Sequence, residues 1–232
     1  MQEIEERSYK TLFPSSYEHA RRLERKARAA VGPAGPPAFA AAARAVLAET
    51  LAASDAARRA FFPEEATALA RARADDRAAL ALPVATLIER RLLVEVRVKT
   101  AGSALRKMLA SGNTKAVRDV LGLRVVVLGE TPDRDAPPES LYAVRDALNA
   151  LGNELEGRFK DYVASPKPSG YRSLHATLLR PGDGLLVEVQ IRSREMHWHA
   201  TFGDASHAAY SVDRRDPALR GAGAKLLPPA AD

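Results

Sequence analysis

Apolar and polar positions change their period along the chain, and those changes mark out its elements. The run Leu92-Leu93-Val94-Glu95-Val96-Arg97-Val98-Lys99 is rich in β-branched residues and ends in alternation, which predicts a strand. Ser103 is placed to cap a short helix carrying Arg106, Lys107 and Met108, with Gly112-Asn113 as its stop. A second short helix should hold Asp119, and Leu123 to Leu128 reads as a buried strand that follows Gly122. Leu141, Val144, Leu148 and Leu151 recur at helical spacing, so 141–151 is expected to be an amphipathic helix. An extended polar stretch then runs from Arg158 to Tyr171.

Ser173 to Arg180 and Leu185 to Arg192 read as two strands joined by Pro181-Gly182-Asp183-Gly184, a hairpin signal. If Arg180 pairs with Leu185, His175 faces Gln190 and Thr177 faces Glu188. Leu174, Ala176 and Leu178 then face Ile191, Val189 and Val187, leaving one apolar and one polar face. The last helix is expected at about Ser193 to Tyr210, and the tail from Asp213 to be loose. Upstream, residues 2–30 suit a helix or two, broken at Pro14-Ser15-Ser16 with Ser15 or Ser16 as N-cap. The Ala- and Arg-rich stretch from Pro33 to Leu82 reads as helices with a solvated, charged surface. The expected division is a helical region over 1–90, a main domain over 91–212 and a tail over 213–232.

The chain has 232 residues, 46% hydrophobic and 28% charged, which fits a globular protein with a real core. It lacks cysteine, so disulfides, thiolate metal sites and cysteine nucleophiles are excluded. No stretch approaches the roughly 18 to 20 apolar residues of a membrane span. The start, MQEIEERSYK, lacks the order of a secretory signal and is too acidic for a typical transit peptide. A cytosolic protein is expected, or one of the plastid stroma with its targeting segment removed. The net charge of +6 favours a polyanionic partner. Arginines number 27 and lysines 8, yet Lys99, Lys107, Lys115, Lys160 and Lys167 fall within one third of the chain.

Chemistry concentrates in that third and on the hairpin. Thr177, His175, Glu188, Gln190 and Arg192 share the hairpin's polar face; a solvent face with cross-strand pairs is the plain alternative. Arg97 and Lys99 lie on one face of a strand, with Ser103 and Lys107 a helical turn apart just beyond. Asp119 and Arg124 flank Gly122, an arrangement suited to a carboxylate aimed at a metal beside a guanidinium aimed at an anionic or planar ligand. The 159–171 loop presents lysines for phosphates and tyrosine rings for a base, stiffened by prolines. His197, His199 and His207 invite a metal reading, but His197 and His199 are two apart and so on different faces of a helix, which argues against it; Trp198 is expected in core or interface.

RVKTAGSALRKM, RDVLGLRVVV, GRFKDYVASPKPSGYRSLHATL and VEVQIRSREMHWHATFGDASHAAY, in this order, resemble the synthetase domain of the RelA/SpoT family of (p)ppGpp synthetases; LFPSSYEHARRLE resembles its helical lead-in. The resemblance implies an α+β, nucleotidyltransferase-like fold, a mixed sheet flanked by helices with a helical N-terminal region. It implies transfer of the β,γ-pyrophosphate of ATP to the 3′-hydroxyl of GDP or GTP, with Mg2+ as cofactor. By motif, Arg97 and Arg124 would bracket the adenine while Lys99, Ser103 and Lys107 hold ATP phosphates. Asp119 and Glu188 would bind Mg2+, Glu188 also taking the hydroxyl proton. Tyr171 would stack on the guanine, with Lys160, Lys167, His175 and Gln190 around the acceptor nucleotide. Arg158-Phe159-Lys160-Asp161 resembles the basic form of a family motif associated with GDP over GTP.

Val96, Ser169 and Arg172 replace a Gly, an Asn and a Gln frequent in the family. Nothing upstream offers the family's metal-dependent hydrolase pattern, so synthesis without hydrolysis is expected, with gating by a ribosome or regulatory domains, and the oligomeric state, left open. Two other readings compete, a degenerate nucleotide-binding regulator and a basic RNA-binding module. Asp119 and Glu188 argue against the first; clustered cations and only 6% aromatic residues argue against the second.

Overall fold

A computed structural model describes residues 8–63, 84–111 and 120–203. After a helical stretch over 8–12 come three helices: α1 Pro14–Val31, α2 Gly35–Ala53 and α3 Asp55–Phe61. A helix over 84–90, α4, leads into β1 Leu92–Val98 and α5 Ala101–Ser111. Then come β2 Leu121–Val127, α6 Pro138–Ala147, the short strands β3 Asn153–Glu154 and β4 Lys160–Asp161, β5 Leu174–Leu179, β6 Leu186–Ser193 and α7 Arg194–Thr201. This is an α+β fold around one mixed sheet.

The sheet runs β1-β2-β6-β5-β3, with β4 beside β3 on the outer edge of β5. β2 and β6 pair in parallel and every other ladder is antiparallel. The hairpin register is the one that parity predicts: His175 opposite Gln190, Thr177 opposite Glu188, and Leu174, Ala176 and Leu178 opposite Ile191, Val189 and Val187. Arg180 and Leu185 close it through a 2.9 Å backbone hydrogen bond, and Gly182 at φ +91° supplies the left-handed turn residue.

Several boundaries differ from expectation. α1 starts at Pro14 with Phe13 as N-cap and no side-chain cap, because proline presets the first helical φ; Ser15 and Ser16 lie inside the first turn. α5 starts two residues before Ser103, since the Thr100 hydroxyl accepts from the Ser103 amide at 3.4 Å and Glu24 of α1 accepts from the Ala101 amide at 2.9 Å. β2 includes Gly122, for pairing on both sides, Arg97 and Glu188, carries the strand through it. α6 starts at Pro138 and passes at Leu148 into a 3₁₀ turn. The last helix is shorter than expected, ending at Thr201 with Phe202 as its C-cap instead of running to Tyr210. Gly112-Asn113, the helix expected to hold Asp119, and residues 64–83 and 204–232 lie outside the described residues.

α2 keeps Glu49 exposed, as the solvated, charged surface requires, and turns an apolar side inward. Ala40, Ala43, Leu47, Ala48, Leu51 and Ala52 are buried, and the helix packs across β1 on the sheet's apolar face. Alanine spacing lets the helix axis approach the strands closely, so the low-information composition is itself the packing device. Helices and sheet share one hydrophobic core, from Tyr17 and Leu47 to Val125, Leu174 and Ile191. Among the described residues no helix is long and apolar enough to cross a membrane.

Arg91 joins the helical layer to the sheet. It is 8% exposed, donates from Nε to the Leu128 carbonyl at 3.1 Å and from Nη1 to the Phe61 carbonyl, and lies 5.2 and 5.4 Å from the ring centres of Phe61 and Phe62. Arg91→Met keeps the apolar stem but strips two carbonyls of their donor, so it should cost about 2–4 kcal/mol in urea unfolding. A change under about 0.5 kcal/mol would mean that the joint is held by the rings alone.

Candidate active site

The sheet's register lines up the polar face in rows. One row reads Arg97, Gly122, Glu188, Thr177 across β1, β2, β6 and β5; the next reads Glu95, Arg124, Gln190, His175, Lys160 and continues onto β4. Every second residue of a strand shares a face, so the rows stack on one side. Gly122 carries no side chain between Arg97 and Glu188, and a Cβ there would come no nearer than 3.8 Å to the backbone of Arg97. The gap opens the floor of a cavity of about 660 Å³.

That cavity is lined by Arg97, Lys99, Arg124, Glu188 and Gln190, with Pro36 and Pro37 of α2 at its wall. Arg124 is held by Glu95 at 3.1 Å. The Glu188 side chain is about one-third exposed and accepts no hydrogen bond from the described residues. Ser103 and Lys107 stand one turn apart on α5 but do not line the cavity, and the Thr100 hydroxyl donates to Ser103 at 3.1 Å. Asp119 lies outside the described residues.

A second group abuts the first across Glu188 and Gln190. Tyr171 Oη lies 2.8 Å from His175 Nε2 and accepts from Arg192 Nη2 at 2.5 Å. Arg192 also donates to Gln190 at 2.9 Å. Lys167 Nζ sits 4.6 and 5.0 Å from the Tyr162 and Tyr171 ring centres, and Tyr162 meets His175 edge-on at 5.3 Å. Lys160 pairs directly with His175 on the ladder. Within Arg158-Phe159-Lys160-Asp161, Asp161 is structural: it accepts from the amides of Val163 and Ala164 at 2.9 and 2.8 Å and from Tyr142 at 2.9 Å, fixing the loop's first turn.

Sequence reasoning placed Arg192 on the polar face without giving it a role. Its side chain is buried at 5% exposure, stacks 4.9 Å from the Tyr171 ring and orders Gln190, and its shared parity with Glu188 and Gln190 was the available signal. His197 of α7 also comes close enough to Arg124, Glu95 and Arg192 to feel their charges, which brings the start of the last helix to the border of the site. Trp198, expected in core or interface, is 42% exposed and leans on His199 and Phe202.

Burial pushes the His175 pKa down to about 4, helped by the Arg192, Lys167 and Lys160 cations around it. The imidazole is therefore neutral at neutral pH, and its 3.8 Å approach to Glu188 is a contact of a dipole with a carboxylate and not an ion pair. In the unfolded chain the same group titrates near 6.5. Between pH 6.5 and 4 the unfolded state thus binds the extra proton, so stability falls as pH drops through that window and levels off below it. The loss from this one group should be on the order of 1 kcal/mol at pH 5.5, and His175→Gln, which does not titrate, should lack it. Urea unfolding of both proteins at pH 7.5 and 5.5 checks this, and parallel losses would contradict a buried neutral histidine.

A family model described as the region found in RelA / SpoT proteins matches residues 96–215. The chain is 34% identical over 134 residues to a chloroplastic GTP diphosphokinase of Oryza sativa subsp. japonica, across 53% of this chain and 22% of that protein. It is 40% identical over 118 residues to a GTP pyrophosphokinase of Streptomyces coelicolor, across 50% of this chain and 13% of that one. Among solved structures, the small alarmone synthetase 1 of Bacillus subtilis bound to its product pppGpp is 28% identical, with a TM-score of 0.41 over 53% of this chain and 61% of that one. The chain thus spans about a fifth or less of these two curated relatives. With the family model covering more than half of its residues, this chain belongs to the RelA/SpoT family.

Proposed function

We propose that the protein is a (p)ppGpp synthetase that moves pyrophosphate from ATP to the 3′-hydroxyl of GDP or GTP. The observation that carries the reading is the row Arg97, Gly122, Glu188, Thr177, in which one accessible carboxylate stands between a cation-lined cavity and an aromatic, lysine-bearing rim. In this reading ATP takes the cavity, its adenine between Arg97 and Arg124 and its phosphates toward Lys99, with Ser103 and Lys107 of α5 closing on them. The acceptor nucleotide takes the rim, its guanine on Tyr171 and its phosphates among Lys160 and Lys167. The Tyr171 ring already carries Arg192 and Lys167, and Lys167, the exposed one, is the cation a base displaces.

The 3′-oxygen attacks the β-phosphorus, its proton passes to Glu188, the bond from that phosphorus to the oxygen it shares with the α-phosphorus breaks, and AMP leaves with that oxygen. Cations that neutralise the triphosphate while holding both nucleotides in line supply most of the rate. Glu188 and Asp119 would hold Mg2+, an ion that takes one or two protein carboxylates and completes its shell with phosphates and water; the part-exposed Glu188 carboxylate beside Gly122, which accepts no hydrogen bond from the described residues, fits that donor set. When bound, the ion would offset the charge gathering on the transferred group. A GDP preference fits Arg158 and Lys160, and the domain division at about residue 90 belongs to the same reading: helices that wall the cavity, then the synthetase sheet. A plastid compartment follows from the chloroplastic relative.

Incubating the chain with labelled ATP, Mg2+ and GDP or GTP should give a 3′-pyrophosphorylated product and AMP. Glu188→Gln and Asp119→Asn should each cut turnover by at least about a hundredfold, since each keeps shape and loses an anion. Full turnover in either variant would defeat the assignment. Replacing Tyr171 by Ala should weaken the guanine nucleotide by about 1–3 kcal/mol in calorimetry and leave ATP nearly unaffected. Equal losses for both nucleotides would rule out a guanine-specific stack.

A further inference from the structure

Arg192, Tyr171, His175 and Glu188 form a continuous series of contacts. Arg192 Nη2 donates to Tyr171 Oη at 2.5 Å, Tyr171 Oη meets His175 Nε2 at 2.8 Å, and His175 Nδ1 lies 3.8 Å from Glu188 Oε1. The placement of protons follows from what each group can do. A guanidinium only donates, so the tyrosine oxygen accepts from Arg192 and keeps its own proton for another partner. A neutral imidazole has one donor and one acceptor. If Nε2 carried the proton, the bare Nδ1 lone pair would face a carboxylate oxygen and the tyrosine proton would have no acceptor in this cluster. With the proton on Nδ1, both conflicts vanish.

We infer that His175 is a positioning residue for Glu188: Tyr171 and Arg192 hold the imidazole in its Nδ1–H form, and that N–H holds Oε1 of the carboxylate, leaving Oε2 as the oxygen that receives a proton. The inference rests on the reading of Glu188 as the group that takes the acceptor's 3′-hydroxyl proton. Of the described residues, His175 is the one that brings a basic nitrogen within 4 Å of that carboxylate. A separation of 3.8 Å is longer than a hydrogen bond; catalytic contacts are often long before substrate binds and tighten in the complex. Tyr171 then has two functions. Its ring meets the acceptor base, and its hydroxyl sets the donor that orients the proton acceptor.

The two functions separate in Tyr171→Phe, which keeps the ring and removes the hydroxyl. In the intact chain without nucleotide, ring ¹⁵N spectra should show wild-type His175 with its proton on Nδ1, and Tyr171→Phe should shift the population toward Nε2. In turnover, Tyr171→Phe should lower kcat by about tenfold and leave KM for the guanine nucleotide within about twofold. His175→Asn, whose amide can place a donor near the Nδ1 position, should retain several times the kcat of His175→Leu. Thermal unfolding separates folding defects from these effects. An Nε2–H wild-type histidine would overturn the inference, and so would variants that change KM alone. A wild-type chain that transfers no pyrophosphate would defeat the proposed function instead, and the spectra would still decide which nitrogen faces Glu188.

Discussion

The parallel pairing of β2 with β6 is the constraint on which the site depends. It joins two segments far apart in sequence and sets Gly122 beside Glu188 and Arg124 beside Gln190. A slip of one residue would turn Glu188, Gln190 and Arg192 into the core and bring Val187, Val189 and Ile191 to the surface. That exchange would bury two charges and an amide without partners, so the apolar face enforces the register that the polar face uses. β1 and β5 extend the same rows on either side and add Arg97, His175 and Thr177 to them.

The helices matter to the site through the sheet's other face. α2 packs its alanines against β1, which fixes the edge strand that carries Arg97, and its first residues Pro36 and Pro37 form part of the cavity wall. Arg91 and Glu24 act as joints, one tying the end of α3 to β2 and the other capping α5 from α1. An edge strand pinned in this way holds its charged side chains with little loss of order when an anionic ligand arrives, and such preorganisation favours binding.

Electrostatics divide the polar face into two environments. On the cavity side Arg97, Lys99 and Arg124 create a positive field relieved by Glu95 and Glu188, which suits a polyphosphate. On the rim, cations lie over tyrosine rings and one imidazole is kept neutral by burial among them. A neutral histidine can donate from one nitrogen while accepting on the other, which a charged one cannot. Glu188 stands where the two environments meet, close to the dipole of one and the cations of the other.

The sequence by itself determined what local physics decides. A two-residue side-chain period and a tight glycine turn were enough to place His175 against Gln190 and Thr177 against Glu188, since hairpin partners are close along the chain and their register follows from the turn. The motifs likewise carried the family and most of the cavity's cations. Only the tertiary structure decided the strand order, the parallel β2–β6 ladder and the passage of β2 through Gly122, because pairing between distant segments leaves no periodic trace in either one. It also decided which polar side chains are buried. Arg192 and Arg194 are the same residue type two positions apart on one strand-to-helix junction, yet one is enclosed beneath Tyr171 and the other is exposed. That difference arises from the 159–171 loop folding over one of them, a long-range packing event that composition and spacing do not encode.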